Sequence, residues 1–371
     1  MKRLKTIFPL LLLFTAVASC IHEEDVATTD TDDGKLKLSF DLSGSGVTLD
    51  IPSPRAWTAV PTVALNTGVR FTVRAYKSEG GAYVDEGIYM IKATTTSDGT
   101  TLATGTTAEP LVESDGKDNT LYLTRGEYDL RFLSYNRTDE SPTVDASGLT
   151  AITNGKDLIS TTLRNVLVQA DKDGQTDFTI SLKGHPFEHL CSCVKATFQI
   201  PKNQVVTPAS VSEMSITLKN LCAGATYEWS SGTLTLSDDR TTETADNLPM
   251  INNDAITSVP STPTTDSEIL AETTSKNFYV LPLDERAPLQ FDISMKIKYK
   301  STQIATSGME KTNELKIENL EQTKALLPGK SYNFIFSLSF YGDYLPADLM
   351  LAVQDYVPVN LKPDEAGGEG Y

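Results

Sequence analysis

The feature that most limits this chain is a side-chain period. Short runs place apolar residues at every second position, and almost nothing beyond the first twenty residues repeats with the three-to-four spacing of an amphipathic helix. Period 2 is the mark of a strand with one buried face. Val69-Arg70-Phe71-Thr72-Val73-Arg74-Ala75-Tyr76 alternates cleanly, and Gly80-Gly81 turns it into Ala82-Tyr83-Val84 and Ile88-Tyr89-Met90-Ile91. Leu121-Tyr122-Leu123 reaches a turn at Arg125-Gly126-Glu127 and continues as Tyr128 to Tyr135, and Phe178 to Leu182 closes this half. Residues 94–119 and 136–157 are rich in Thr, Ser, Asp and Gly and read as loops. Asp157 to Ala170 fits a helix or a strand, and the pattern leaves both open.

A second half begins near Gly184. Val194 to Ile200 is a strand stopped by Pro201, Met214 to Leu218 is another, and Tyr227 to Leu236 forms a hairpin about Ser231-Gly232. The Thr-rich stretch 237–276 reads as a long loop. Phe278 to Leu281, Leu289 to Tyr299, and Tyr332 to Leu338 behind Leu327-Pro328-Gly329-Lys330 resume the alternation. Leu349 to Gln354 and Tyr356 to Leu361 form the last regular stretch, before an acidic, glycine-rich tail. The fold class is therefore all-β, with two tandem antiparallel β-sandwich-like domains, at 35–183 and 184–371.

The 371 residues are enough for two cores. The N-terminus adds charge to the argument. Lys2, Arg3 and Lys5 precede an apolar run from Ile7 to Val17, and small residues lead to Cys20. This is the basic start, apolar centre and small-residue exit of a secretory signal over residues 1–19. At about 11 residues the run is too short to span a bilayer of roughly 30 Å as a helix. Its removal takes three cations and moves the formal charge from −17 to about −20. Such a surface excludes nucleic acid as a partner and gives no attraction to anionic headgroups. Of the four cysteines, Cys191, Cys193 and Cys222 remain beside Cys20, an odd set that gives no disulfide framework.

Val17-Ala18-Ser19-Cys20 resembles a bacterial lipobox, in which the cysteine thiol is acylated and becomes the new N-terminus. His22-Glu23-Glu24-Asp25 resembles the acidic signal that sends many Bacteroidetes lipoproteins to the cell surface, and residues 20–34 read as an acidic tether. The lipobox, Phe71 to Tyr76, Leu123-Thr124-Arg125-Gly126-Glu127-Tyr128-Asp129-Leu130, His189 to Val194 and Leu327 to Tyr332, in that order, together resemble the Bacteroidetes fimbrillin-like proteins: type V pilus subunits of the FimA/Mfa type and their lipoprotein relatives. The resemblance implies transthyretin-like sandwiches, a lipid on Cys20 as the sole non-protein group, and a place in the outer membrane at the cell surface or in a pilus. It implies other fimbrial subunits as partners, with host or bacterial surface receptors as further contacts. It also implies a mechanism: an arginine-specific protease removes an early strand, and an extended segment of another subunit fills the groove. On this chain the removable strand is within 35–55 (Leu36 to Ile51), and the cut falls between Arg55 and Ala56. The donor is 349–361, through Leu349, Leu351, Val353, Tyr356, Val357, Val359 and Leu361. Two plainer readings stand beside these. Arg55 also fits an ordinary surface residue, since family anchors keep their lipid and stay uncut, and 349–361 also fits a permanent strand of its own second domain.

Side chains that carry chemistry are sparse. His185, His189, Cys191 and Cys193 are the residue types of a zinc site, but Cys-x-Cys is not the usual spacing, and the two cysteines share one strand face as small buried residues. Asp171-Lys172-Asp173-Gly174 is too short for a calcium loop. With three histidines, none beside a nucleophile, no triad, nucleophile elbow or phosphate loop is legible. The chain reads as a non-enzyme with neither metal nor catalytic residue. Trp57, and Trp229 beside Tyr227, support an alternative, a non-polymerising surface lipoprotein that stacks sugars or binds another ligand, although core burial suits both tryptophans better.

Overall fold

A computed structural model describes residues 34–48 and 62–340, apart from 94, 96–100, 102–103, 113–115, 170–173, 203–205, 241–247, 263–267, 285–287, 302–306 and 323–324, together with the backbone of 350–354 and 359–360. Among the described residues there is no helix. The first half supplies β1 (Leu36–Asp41), β2 (Val47–Thr48), β3 (Thr62–Val63), β4 (Arg70–Lys77), β5 (Tyr83–Ile91), β6 (Thr107–Pro110), β7 (Tyr122–Leu123), β8 (Gly126–Ser134), β9 (Leu149–Ile152), β10 (Ile159–Val168), β11 (Asp177–Ser181) and β12 (Glu188–His189). The second supplies β13 (Ser192–Pro201), β14 (Ser210–Lys219), β15 (Ala225–Glu228), β16 (Thr233–Leu236), β17 (Leu248–Ile256), β18 (Ile269–Thr274), β19 (Phe278–Val280), β20 (Leu289–Lys300), β21 (Glu310–Gln322), β22 (Lys330–Ser339), β23 (Met350–Gln354) and β24 (Val359–Asn360).

The first sheet runs β11-β1-β6-β5-β4-β8-β10-β12, with β7 also on β1. Its inner face is aromatic. The Phe40 ring meets Tyr89 at 4.7 Å and Phe132 at 5.1 Å, both edge to face, the geometry that aromatic quadrupoles favour. In the second half, β18-β13-β22-β23 packs against β17-β14-β20-β21, and Phe291 of β20 meets Phe334 and Phe336 of β22 at 4.9 and 5.1 Å. The sequence pattern suggested antiparallel sheets throughout, yet β1 runs parallel to β11 and β13 runs parallel to β22.

Several stretches that read as loops hold strands. β6 and β9 lie in 94–119 and 136–157, and β17 and β18 lie in 237–276. The open segment after Asp157 is β10.

A third sheet, β16-β15-β9, joins the halves. It covers the face of β4 and β8 that carries Arg74 and Arg131, which stand opposite each other and are nearly buried. Arg131 donates to the carbonyl of Trp229 and stacks on Tyr76 at 5.0 Å, while Arg74 lies 4.1 Å over Tyr83 and pairs with Glu86 at 3.0 Å. The Arg131–Tyr76 pair is shielded from most solvent, whereas the Tyr83 ring under Arg74 is 48% exposed. From Gly34 onward the described residues form one compact unit.

Burial pushes the phenol of Tyr227 up to about 12 against the pull of Arg131, and burial with the Glu140 carboxylate pushes Tyr135 up to about 12. The folded chain therefore keeps protons that an unfolded chain releases near pH 10. Their stabilising contribution is complete below about pH 10 and is lost as the pH rises toward about 12. Urea midpoints should hold steady up to about pH 10 and then fall, and Tyr227→Phe should flatten that fall.

Candidate functional site

The strand that the fimbrillin-like resemblance marks as removable occupies the interior of the first sheet. On one side of β1 lies β11, parallel from Lys37↔Asp177 to Asp41↔Ser181. On the other lie β7 at Leu36 and Lys37 and β6 at Phe40 and Asp41. The alternation decides which side chains face in. Leu36, Leu38 and Phe40 are all at most 3% exposed, and Leu42 and Val47 continue the buried series. Lys37 points outward, and the Ser39 hydroxyl meets the Thr179 hydroxyl at 2.8 Å.

Hydrogen bonds hold the strand at every step. Lys37 N–H donates to the Thr176 carbonyl (2.7 Å), Leu38 N–H to Leu121 (3.0 Å) and Leu42 N–H to Thr106 (2.7 Å). The Tyr89 hydroxyl donates to the Leu38 carbonyl at 2.9 Å and accepts from Leu121 N–H at 3.1 Å. Loss of β1 would bare the rings of Phe71, Tyr89 and Phe132 together with two rows of backbone groups. Such an edge pairs with any extended chain that fits.

The two flanks of the marked cut lie side by side. β2 and β3 pair as an antiparallel ribbon, Val47↔Val63 and Thr48↔Thr62, so the segment 49–61 leaves and returns at one place. Arg55, Ala56 and Trp57 belong to that segment and lie outside the described residues, as do Cys20 and the tether.

At the other end of the chain, β23 is the outermost strand of its sheet. It pairs antiparallel with β22, with Leu351 opposite Leu338 and Val353 opposite Phe336, and β24 pairs Val359 with Ser331. Leu349, Tyr356, Val357 and Leu361 lie outside the described residues. On its other flank β22 is held parallel to β13, and Phe334, Phe336 and Leu338 are fully buried. Within this chain, then, the C-terminal strand caps an edge of its own sheet.

Trp229 and Tyr227 are both within 1% of full burial, edge to face at 5.4 Å, and the Trp229 indole N–H donates to the Thr150 hydroxyl at 2.8 Å. They are core residues, and no sugar reaches their faces.

The histidines and cysteines separate. His185 is exposed, whereas His189, Cys191 and Cys193 are buried, and Cys191, Cys193 and Cys222 form no disulfide. A residue that no spacing rule pointed to, Asp157, joins them. Its Oδ1 accepts from His189 Nδ1 at 2.7 Å and from the Cys191 thiol at 3.3 Å, and its Oδ2 accepts from Asn136 Nδ2 at 2.9 Å. Burial and the Asp157 carboxylate push the Cys191 thiol well up.

Among the described residues, the geometry is that of a β-structural protein whose first strand, β1, is inserted between sheet neighbours and whose strand β23 is an edge. Residues 35–341 match the fimbrillin-like family, and the chain belongs to that family. Among solved structures it resembles a protein of Bacteroides fragilis provisionally assigned to cell adhesion (16% identity, 88% of this chain and 98% of that one, TM-score 0.46). It also resembles a fimbrial protein of Bacteroides vulgatus (13%, 88% and 99%, TM-score 0.43) and the C-terminally truncated tip fimbrial protein Mfa3 of Porphyromonas gingivalis (9%, 88% and 100%, TM-score 0.31). No curated protein matches the chain significantly.

Proposed function

We propose that this protein is a non-enzymatic subunit of a fimbria, exported as a lipoprotein on Cys20 and assembled at the cell surface by strand exchange. Proteolysis after Arg55 releases residues 20–55. The next subunit's extended segment 349–361 then pairs with the edges that β1 leaves. One observation carries this reading. β1 is flanked by strands on both sides yet is the first strand among the described residues, so a single cut within 49–61 converts it from a covalent part of the domain into a separate peptide.

The energetics fit the order of events. Five apolar side chains leave with β1, and burying each stabilises by about 1.5–3 kcal/mol. An empty groove is therefore short-lived, and a donor strand with matching alternation restores the loss. In the donor, proline at Leu351 or Val353 removes a ladder N–H and stiffens the backbone. Leu351→Pro and Val353→Pro should lower the polymer fraction strongly while the first domain keeps its near-ultraviolet signal. The check is sedimentation of purified, protease-treated protein, and polymer at the unmodified level from both variants would remove 349–361 as the donor.

A further inference from the structure

Asp157, His189 and Cys191 come from three places in the chain: the turn before β10, the second residue of β12, and the residue just before β13. All three are buried, and one potential ligand atom from each lies within 4.8 Å of the others. This is where the chain passes from the first sheet to the second.

We propose that these three side chains form a buried structural site for one divalent cation, with zinc as the probe. Two further properties of the cluster support it. The donor set is one nitrogen, one oxygen and one sulfur, the mixture that zinc accepts. A carboxylate and a thiolate together carry two negative charges, which a divalent cation neutralises, so the filled site buries no net charge.

The distances are those of the proton-filled form. Ligand atoms that share a tetrahedral zinc, with bonds of about 2.0–2.3 Å, stand roughly 3.3–3.7 Å apart. The Cys191 sulfur is already 3.3 Å from Asp157 Oδ1, and His189 Nδ1, at 2.7 Å, must withdraw by several tenths of an ångström. Asn136 fixes Asp157 through the other oxygen. On binding, the thiol gives one proton to solvent and its sulfur bonds the cation. The imidazole proton moves from Nδ1 to Nε2 as Nδ1 becomes a ligand. No electron transfer is involved. The cation would tie the start of β10, β12 and the start of β13 to one point.

The test uses the untagged full chain, reduced with a non-chelating phosphine and dialysed against Zn2+, with Co2+ as a spectroscopic stand-in. The expected result is one zinc per chain and a sulfur-to-cobalt charge-transfer band. Cys191→Ser should lose both, and Cys222→Ser should keep both. Asn136→Ala should weaken zinc binding roughly 10–100-fold, as loss of a ligand's hydrogen-bond partner does. Absence of stoichiometric zinc from the wild-type chain, or full zinc affinity in Cys191→Ser, overturns the site and leaves the cluster a hydrogen-bond hub. The wild-type cobalt spectrum is decisive even where the serine variant does not fold.

Discussion

Arg55→Ala is expected to hold the protein as a single uncut species that begins at Cys20 and to abolish polymer. The expectation rests on what else a basic-residue protease can reach. Between Lys37 and Arg70, Arg55 is the sole arginine or lysine. Lys37 sits in β1, paired on both sides, and Arg70 opens β4, opposite Met90 of β5, with its N–H donating to the Arg137 carbonyl at 2.9 Å. Backbone committed to a ladder does not enter a protease cleft without local unfolding. With Arg55 gone, β1 stays in its sheet and no groove opens. The polymer ladder on a mild-detergent gel should vanish while secretion and the intact mass of the precursor are unchanged. Polymer from the alanine variant with its N-terminus still at residue 56 would mean that the cut does not depend on arginine.

The second large effect separates precursor from product. Phe40→Ala removes a ring that packs on Tyr89, Phe132 and, at 6.0 Å, Phe71, in a fully buried position. A cavity of that kind costs about 3–5 kcal/mol. The uncut precursor should show that loss as a lower urea midpoint with an unchanged slope. The assembled subunit, which no longer contains residue 40, should unfold as the wild type does. If the variant destabilises polymer and precursor alike, β1 is still present in the polymer and the exchange account fails.

Much of this fold is legible in the residues because its long strands alternate. β20 and β22 bury their aromatic and most of their aliphatic residues where the period-2 pattern puts them; β4 and β8 do so on one face, while Tyr76 and Leu133 bury the opposite face in the second core. The segments that were misread break that pattern for identifiable reasons. β10 carries a bulge between Leu163 and Val166, with Asn165 at a φ of 53°, so its side chains change face halfway and the sequence fits neither period. β17 buries Met250 and Ile251 side by side and exposes the residues that follow, with register shifts along its pairing to β14. β6 is Thr-Ala-Glu-Pro, a poor strand former held in place by β1 and β5. Strand direction leaves no trace in alternation, which is why the parallel pairs β1/β11 and β13/β22 were not anticipated.

The candidate site divides in the same way. That Leu36 to Leu42 is a strand with one buried face is written in its alternation. That it inserts between β11 and the β6/β7 side is not, because its partners lie about 70–140 residues away. The buried cluster shows the same limit. Spacing relates His189 and Cys191 only to Cys193, whereas the group that organises them is Asp157, 32 residues before His189 in a loop-like stretch of sequence.

The central claim is that the assembled form lacks its first strand. Fimbriae sheared from the cell surface, dissociated and subjected to N-terminal sequencing and intact-mass analysis, test it directly. The account requires a polypeptide that begins at Ala56 and carries no lipid. A polymerised chain that begins at acylated Cys20 would contradict it.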